Sequence, residues 1–478
     1  MRKIHLKNAV LVVLILCSVI LAFNTWTDEK LWSDDYNFFS VIKQKLGLSD
    51  KYGAFGSLSK ERLAMPHRIV VNNSAKRSVY YQNEEGFEEL FHSVRTVFEK
   101  ALQTEKYQTV SESKWYSAIK NKSVFVTYPA VYDISIIGDI FRIKDPEISV
   151  GSMKQFVITS ESDYDDTLSV YIRDEKDGSF KLCYVDYEIA KFLDVVEGSA
   201  KDSAGALPYS FELNFDKGGD KKQNTLIGSE VLLNIVPTKH KGIAPSNHIV
   251  ASDGRFRSDV VEKILKCFDY NTSSPRKYPD KDDVVYVENY STIRFYKSGV
   301  VEYKAIANDK GISLDVSNKD NIREVYSASL GFVSKLWQTA VPDRELNLMV
   351  SSDVVGLNKN STFKITMNYY NDGYIIRDDI NMDINNSVMT NAVEMVITSG
   401  KIVSYRQVMK LYDETNETLM NMSTIDAIDE LYQNEEFSLG KAVVSITPAY
   451  TFDENGNCIM TYIAQDDKKQ EFLLKQRG

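Results

Sequence analysis

One stretch constrains this chain more than any other: the twenty residues from Asn8 to Thr27 carry no charge and follow three basic residues, Arg2, Lys3 and Lys7. Its heart, Ala9 to Phe23, is almost purely aliphatic. As a helix it would rise about 30 Å, the thickness of a bilayer's hydrocarbon core. Trp26 closes the run where an interfacial aromatic belongs, and Asp28 and Glu29 follow it. Positive charge collects on the cytoplasmic side of a span. The pattern therefore predicts a cytoplasmic tail over 1–7, a transmembrane anchor over 8–27, and an extracellular remainder. A cleaved signal peptide is the competing reading, but its small-residue exit, Ile20-Leu21-Ala22, is poor at its first position. A lipid-modified Cys17 fits less well, because Leu16 stands where a small residue is wanted. No other segment approaches the roughly eighteen apolar residues of a second span. Helices in lipid associate through close packing and occasional hydrogen bonds. Cys17 and Ser18, the small or polar breaks at mid-span, and Trp26 at its outer end are thus the candidate partner-binding residues.

The rest of the chain is too long for one core, and 478 residues suggest about three domains. With 43% hydrophobic and 11% aromatic residues, wholesale disorder is excluded. Net charge is −10, of which Arg2, Lys3 and Lys7 contribute +3, leaving −13 on everything else. That acidity argues against nucleic acid or an anionic lipid surface as partner. Beyond Cys17 there are three cysteines, Cys183, Cys267 and Cys458. An odd number at wide spacing makes neither a disulfide scaffold nor a metal cluster; buried thiols with one optional bridge are expected.

Read along the chain, residues 28–65 form a connector. An α+β domain over 66–222 opens with two strands, 68–72 and 78–81. An amphipathic helix follows, with Phe87, Leu90, Phe91, Val94, Val97 and Phe98 on one face. A second helix near Trp115 and Ile119 and strands at 124–128, 155–160, 168–173 and 180–186 complete it, with a helix near 188–196. A central α+β domain, 223–342, is expected to hold a strand at 231–236, a helix at 260–267, a hairpin of strands 284–296 and 300–305, and a long helix over 322–340. A β-rich domain, 343–478, carries hairpins turning at Asn371-Asp372-Gly373, Ser399-Gly400 and Asn455-Gly456. Ser423-Thr-Ile-Asp426 is a capping box opening its one helix. The fold class is thus α+β: one membrane helix, then antiparallel sheets with packed helices.

Catalytic constellations are wanting. The histidines are His5, His67, His92, His240 and His248, and the last two lie across a proline-containing loop without carboxylates at ligand spacing. No metal, cofactor or catalytic residue is assigned. Ser-x-x-Lys, a serine-nucleophile motif, occurs at Ser40, Ser57, Ser111, Ser117, Ser361 and Ser438, as chance allows, with no Lys-Thr-Gly partner. Asp163, Asp165 and Asp166 lack the sixth-position glycine and closing glutamate of a calcium loop. The alternatives to a binding regulator are an anchored serine-type cell-wall enzyme and a wall- or solute-binding module.

Two regions resemble a known family. Pro66-His-Arg-Ile-Val-Val-Asn-Asn73, the tyrosine strand, the Glu-rich helix, and Ser113-Lys-Trp115 leading to Val124-Phe-Val-Thr-Tyr-Pro129 resemble the start of YycH-type (WalH-type) proteins. Tyr369-Tyr-Asn-Asp-Gly373, Gly400-Lys-Ile-Val-Ser-Tyr-Arg406, the Ala427-centred helix and Ile446-Thr-Pro-Ala-Tyr450 resemble the fold that YycH shares with YycI. Met460-Thr-Tyr462 departs from that pattern, which has a Trp in the final strand. The resemblance implies a non-enzymatic, single-span regulator that associates with the sensor histidine kinase WalK, alongside a YycI-like sister, in the control of cell-wall metabolism. It assigns no catalytic residue and no cofactor.

Overall fold

The alternation of apolar residues in Ile69-Val70-Val71 places Val70 on one face of a strand and its neighbours on the other, and all three are fully buried. Both faces of this first sheet are therefore covered. The computed structural model describes residues 65–474 apart from 75, 144, 162–165, 200–206, 216–226, 235, 289, 357–360, 383–386, 435–436 and 438–441. The expected tail and anchor, with Cys17, Ser18 and Trp26, and the connector up to residue 64 lie outside the described residues. Among the described residues, no helix is long and apolar enough to cross a membrane.

The first sheet has seven antiparallel strands. In chain order the elements are β1 (Arg68–Asn73), β2 (Lys76–Tyr81), α1 (Phe87–Leu102), β3 (Tyr107–Val110), α2 (Glu112–Lys120), β4 (Ser123–Asp133), α3 (Ile134–Ile140), β5 (Ser152–Thr159), β6 (Thr167–Arg173), β7 (Phe180–Asp186) and α4 (Ile189–Gly198). They order as β2-β1-β4-β5-β6-β7-β3. Helix α1 buries Phe91, Val94 and Phe98 against one face, where Phe98 stacks on Phe156 of β5 at 3.8 Å. Glu88 and Glu89 in its first turn and Lys100 in its last complement the helix dipole. Helix α2 covers the other face through Trp115, which meets Phe125 edge-on at 5.9 Å.

The second half comprises β8 (Thr238–Asn247), α5 (Ser258–Cys267), β9 (Lys277–Asp280), β10 (Asp283–Glu288), β11 (Ser291–Phe295), β12 (Val300–Ala305), β13 (Ile312–Ser313), α6 (Ile322–Ala340) and β14 (Leu348–Val350). There follow β15 (Thr362–Asn371), β16 (Tyr374–Ile376), β17 (Ile380–Met382), β18 (Ser387–Met389), β19 (Val393–Thr398), β20 (Lys401–Val408), β21 (Lys410–Asn421), α7 (Thr424–Tyr432), β22 (Val443–Phe452), β23 (Cys458–Asp466) and β24 (Glu471–Leu474). Thirteen of these strands form one sheet, β24-β23-β22-β16-β15-β19-β20-β12-β11-β10-β9, with β13 on β20 and β14 on β15. Within this sheet β16 and β22 pair in parallel. The sheet is continuous across residue 342, because β12 pairs with β20 from Val300↔Val408 to Lys304↔Ser404. Helix α6 is capped by the Asn321 side chain, which accepts from the Arg323 N–H at 3.0 Å. At the start of α7 the Ser423 hydroxyl accepts from the Asp426 N–H at 3.1 Å. The Asp426 carboxylate in turn accepts from the Ser423 N–H at 3.2 Å, completing the expected capping box.

Four expectations need correction. Among the described residues of 231–236 no strand forms; Leu232 makes one isolated bridge to Tyr209. The Asn234 side chain accepts from the Val236 N–H at 3.1 Å, a turn that competes with sheet pairing. The stretch 284–296 is two strands, since the chain reverses and Glu288 pairs with Ser291. The single strand expected to leave the Ser399-Gly400 turn, over 402–411, is split at Met409 between β20 and β21. Residues 238–247 are no loop: they form β8, which pairs with β21 in a two-stranded ribbon. Pro245 is tolerated there because β8 has a single neighbour and the missing N–H breaks no second ladder.

Candidate functional site

The two sheets meet along a seam that encloses two adjoining cavities of about 160 and 640 Å³, with His67, Arg68, Ile446 and Thr447 lining both. The seam originates in a bulge. Thr127 pairs with Gln155 and Tyr132 with Met153, so residues 128–131 of β4 stand opposite the single Lys154 of β5. Pro129 has no N–H to offer the ladder, and a bulge bends the strand out of the sheet. The diverted chain hydrogen-bonds to the other half instead. The Val354 N–H donates to the Val131 carbonyl at 2.7 Å and the Asp133 N–H to the Val354 carbonyl at 2.8 Å. The Asp353 carboxylate accepts from the Val131 N–H at 3.3 Å.

The second clasp is the turn between β15 and β16. Asp372 and Gly373 both take positive φ, 47° and 77°, as a two-residue hairpin turn requires. A side chain at Gly373 would collide with the Cβ of Tyr81 and sit 3.2 Å from the Gln82 nitrogen, so only glycine lets this turn rest on β2.

The smaller cavity gathers charge unevenly. Arg68 and Lys154 line it with Glu230 and Glu471. Glu230 is engaged by the Trp115 indole N–H at 2.9 Å and by Arg173 at 3.5 Å, and Glu471 by Arg377. Among the described residues neither Arg68 nor Lys154 forms an ion pair. Arg68 donates only to the Thr127 hydroxyl, at 3.5 Å, and its Nε is buried without a partner. Burial pushes the Lys154 ammonium below its ordinary range, against the pull of Asp353 and Glu175. Burial also holds His67 well below its usual value, reinforced by the charges of Arg68 and Lys154, so its imidazole is neutral. Its Nδ1, Gln155 Oε1 and Asn368 Oδ1 are buried with no hydrogen-bond partner.

Aromatic rings contribute to the lining of the larger cavity. The rings of Tyr81 and Tyr374 lie 4.9 Å apart, and His240 meets Tyr374 edge-on at 4.7 Å. Burial lowers the His240 pKa, and its Nε2 lies 2.8 Å from the Thr238 hydroxyl. Burial raises the Tyr81 hydroxyl to about 12. At the cavity's rim Arg77 donates to Asn72 at 3.0 Å, to the Leu207 carbonyl at 2.7 Å and to Glu212 at 2.8 Å, with its guanidinium 4.6 Å from the Tyr209 ring centre.

The partner-binding candidates of the sequence, Cys17, Ser18 and Trp26, are not among the described residues. Of the Ser-x-x-Lys serines, Ser111 shares a hydrogen bond with Ser113 at 2.9 Å and Ser361 donates to Asp320. Ser117 lies within α2, and Ser40, Ser57 and Ser438 fall outside the description. Asp166 takes a positive φ of 54° in the turn before β6. Cys183, Cys267 and Cys458 are free thiols. Among the described residues, no three His, Cys, Asp or Glu side chains are grouped to hold a metal ion.

Sequence reasoning missed the seam's polar set: His67, Arg68, Lys154, Gln155 and Asn368. Four of the stretches that carried the resemblance nevertheless run along it. His67, Arg68 and Pro129 come from the first region, and Gly373 and residues 446–448 from the second. A proline interrupting an apolar strand pattern at 129 was the signal available.

No family model matches the sequence, and no curated protein matches it. Among solved structures, YycH from Bacillus subtilis superposes with a TM-score of 0.58 at 10% sequence identity, covering 88% of this chain and 98% of that one. The likeness thus takes in both sheets and nearly the whole of the other protein, and the chain has the YycH fold.

Proposed function

We propose that this chain is a non-enzymatic regulator of the YycH type, anchored by residues 8–27 with its folded part outside the cell, and that it binds and modulates a WalK-like sensor histidine kinase. The observation that carries this reading is the fold likeness over 98% of YycH. The uncharged run behind Arg2, Lys3 and Lys7 supports the anchoring. Kinase contact would come from the span, through Cys17 and Ser18 with Trp26 at the interface, together with the folded part and a YycI-like sister protein. The domain limits at 222 and 342 belong to the same reading: the blocks they separate would be functional regions.

The test is affinity purification of the tagged full chain from detergent-solubilised membranes. Recovery of a sensor histidine kinase is expected, and recovery of none would overturn the reading. Ser18→Leu should keep insertion and weaken recovery, because bulk at a close-packed helix face costs more than one lost hydrogen bond, which averages about 0.6 kcal/mol in lipid. An unrelated span that retains full recovery would place partner choice in the folded part alone. Covalent labelling of Ser111, Ser117 or Ser361 by a serine-directed probe would favour the enzyme instead.

A further inference from the structure

We infer that the seam between the two sheets binds a small carboxylate that also carries amide N–H groups, the chemistry of a short peptide's C-terminal end. The inference rests on the cavity and stands whether or not the chain regulates a kinase. Its floor holds two cations without anionic partners, Arg68 and Lys154, while the neighbouring carboxylates Glu230 and Glu471 are already engaged by Arg173 and Arg377. Cations within a partly enclosed cavity favour an anion, and a guanidinium matches the two oxygens of a carboxylate.

The same cavity holds two acceptors without donors. Gln155 and Asn368 are 8% and 4% exposed, and Oε1 of the first and Oδ1 of the second have no hydrogen-bond partner. Buried acceptors are nearly always satisfied, because leaving one unmade is costly. A ligand completing the site must therefore bring donors as well as negative charge. Inorganic phosphate supplies the charge and at most a hydroxyl or two; a peptide end supplies a carboxylate and a series of N–H groups. The adjoining chamber, about 640 Å³ and lined in part by Tyr81, Tyr374 and His240, gives apolar side chains a place to lie. Drug-sized sites run to roughly 300–1,000 Å³ with a few polar groups fixing orientation. Arg68, Lys154 and Gln155 come from the first sheet and Asn368 from the second, so the bound ligand bridges the two.

The experiment uses the full chain in detergent micelles and three probes at matched ionic strength: N-acetyl-trialanine, its C-terminal amide, and inorganic phosphate. Calorimetric titration should show the acid binding at least about tenfold tighter than the amide and tighter than phosphate, and the acid alone should raise the melting temperature. Lys154→Gln and Arg68→Gln should each weaken the acid about tenfold or more, Lys154→Arg should retain it, and the exposed control Lys241→Gln should change nothing. Where a variant fails to fold, the comparison of acid with amide on the unaltered chain still decides. Equal binding of acid and amide, phosphate binding tighter than the acid, or no binding at millimolar concentration would each overturn the inference.

Discussion

His67 is held neutral first by burial and then by the charges of Arg68 and Lys154, with the backbone of Thr127 and Tyr128 acting the other way. An unfolded histidine titrates near pH 6.5. Below that, the unfolded chain takes up a proton the fold refuses, so stability is lost as pH falls through about 6.5. His240 and His248, both lowered chiefly by burial, add to this. Glu175 and Asp372, both raised chiefly by burial, oppose it. The urea midpoint should therefore fall between about pH 7.5 and pH 5.5, and fall less steeply in His67→Gln. Identical slopes for the two proteins would contradict this account of His67. Arg77 offers a second test. It is 5% exposed and makes three directional bonds, to Asn72, Leu207 and Glu212. Arg77→Ala strands those acceptors and should cost about 3–5 kcal/mol in urea unfolding. Arg77→Lys should recover only part, since an ammonium cannot reproduce the guanidinium fork. A loss below about 1 kcal/mol for the alanine variant would show the network to be dispensable.

At the scale of elements, the turn between β15 and β16 is where the two halves press closest. Gly373→Ala must hold an alanine at φ 77° and push it against Tyr81, so about 2–4 kcal/mol should be lost. Gly456 has a similar φ of 81° in the turn between β22 and β23, but nothing lies within 4 Å of an added Cβ. Gly456→Ala should cost only about 1 kcal/mol, and equal losses in thermal or urea unfolding would refute the role given to the clasp. Elements whose signal is local were legible in the sequence. Helix α1 showed in the spacing of its apolar residues, α7 in its capping box, and the three hairpins in their Asp-Gly, Ser-Gly and Asn-Gly pairs. The strand expected at 231–236 failed because pairing stops at the single bridge between Leu232 and Tyr209, while Asn234 turns the chain. Strand β8 was hidden because Lys239, Lys241 and Pro245 look like loop, and its partner β21 begins more than 160 residues later, at Lys410. The polar set of the seam was hidden for the same reason: Arg68, Lys154 and Asn368 are brought together only by the meeting of two sheets.

For the whole molecule, the strands of the central and C-terminal blocks share one sheet, and the first sheet joins them through the bulge of β4 and the turn at Gly373. Such an arrangement places a cavity between two covered sheets. The most direct measurement reconstitutes a WalK-like kinase in proteoliposomes and follows its autophosphorylation as the full-length chain is added. The account predicts a change in rate that saturates at a fixed ratio of chain to kinase and disappears when residues 66–478 are replaced by an unrelated fold. A rate unaltered at every ratio, with the two proteins failing to co-purify from the same vesicles, would contradict it.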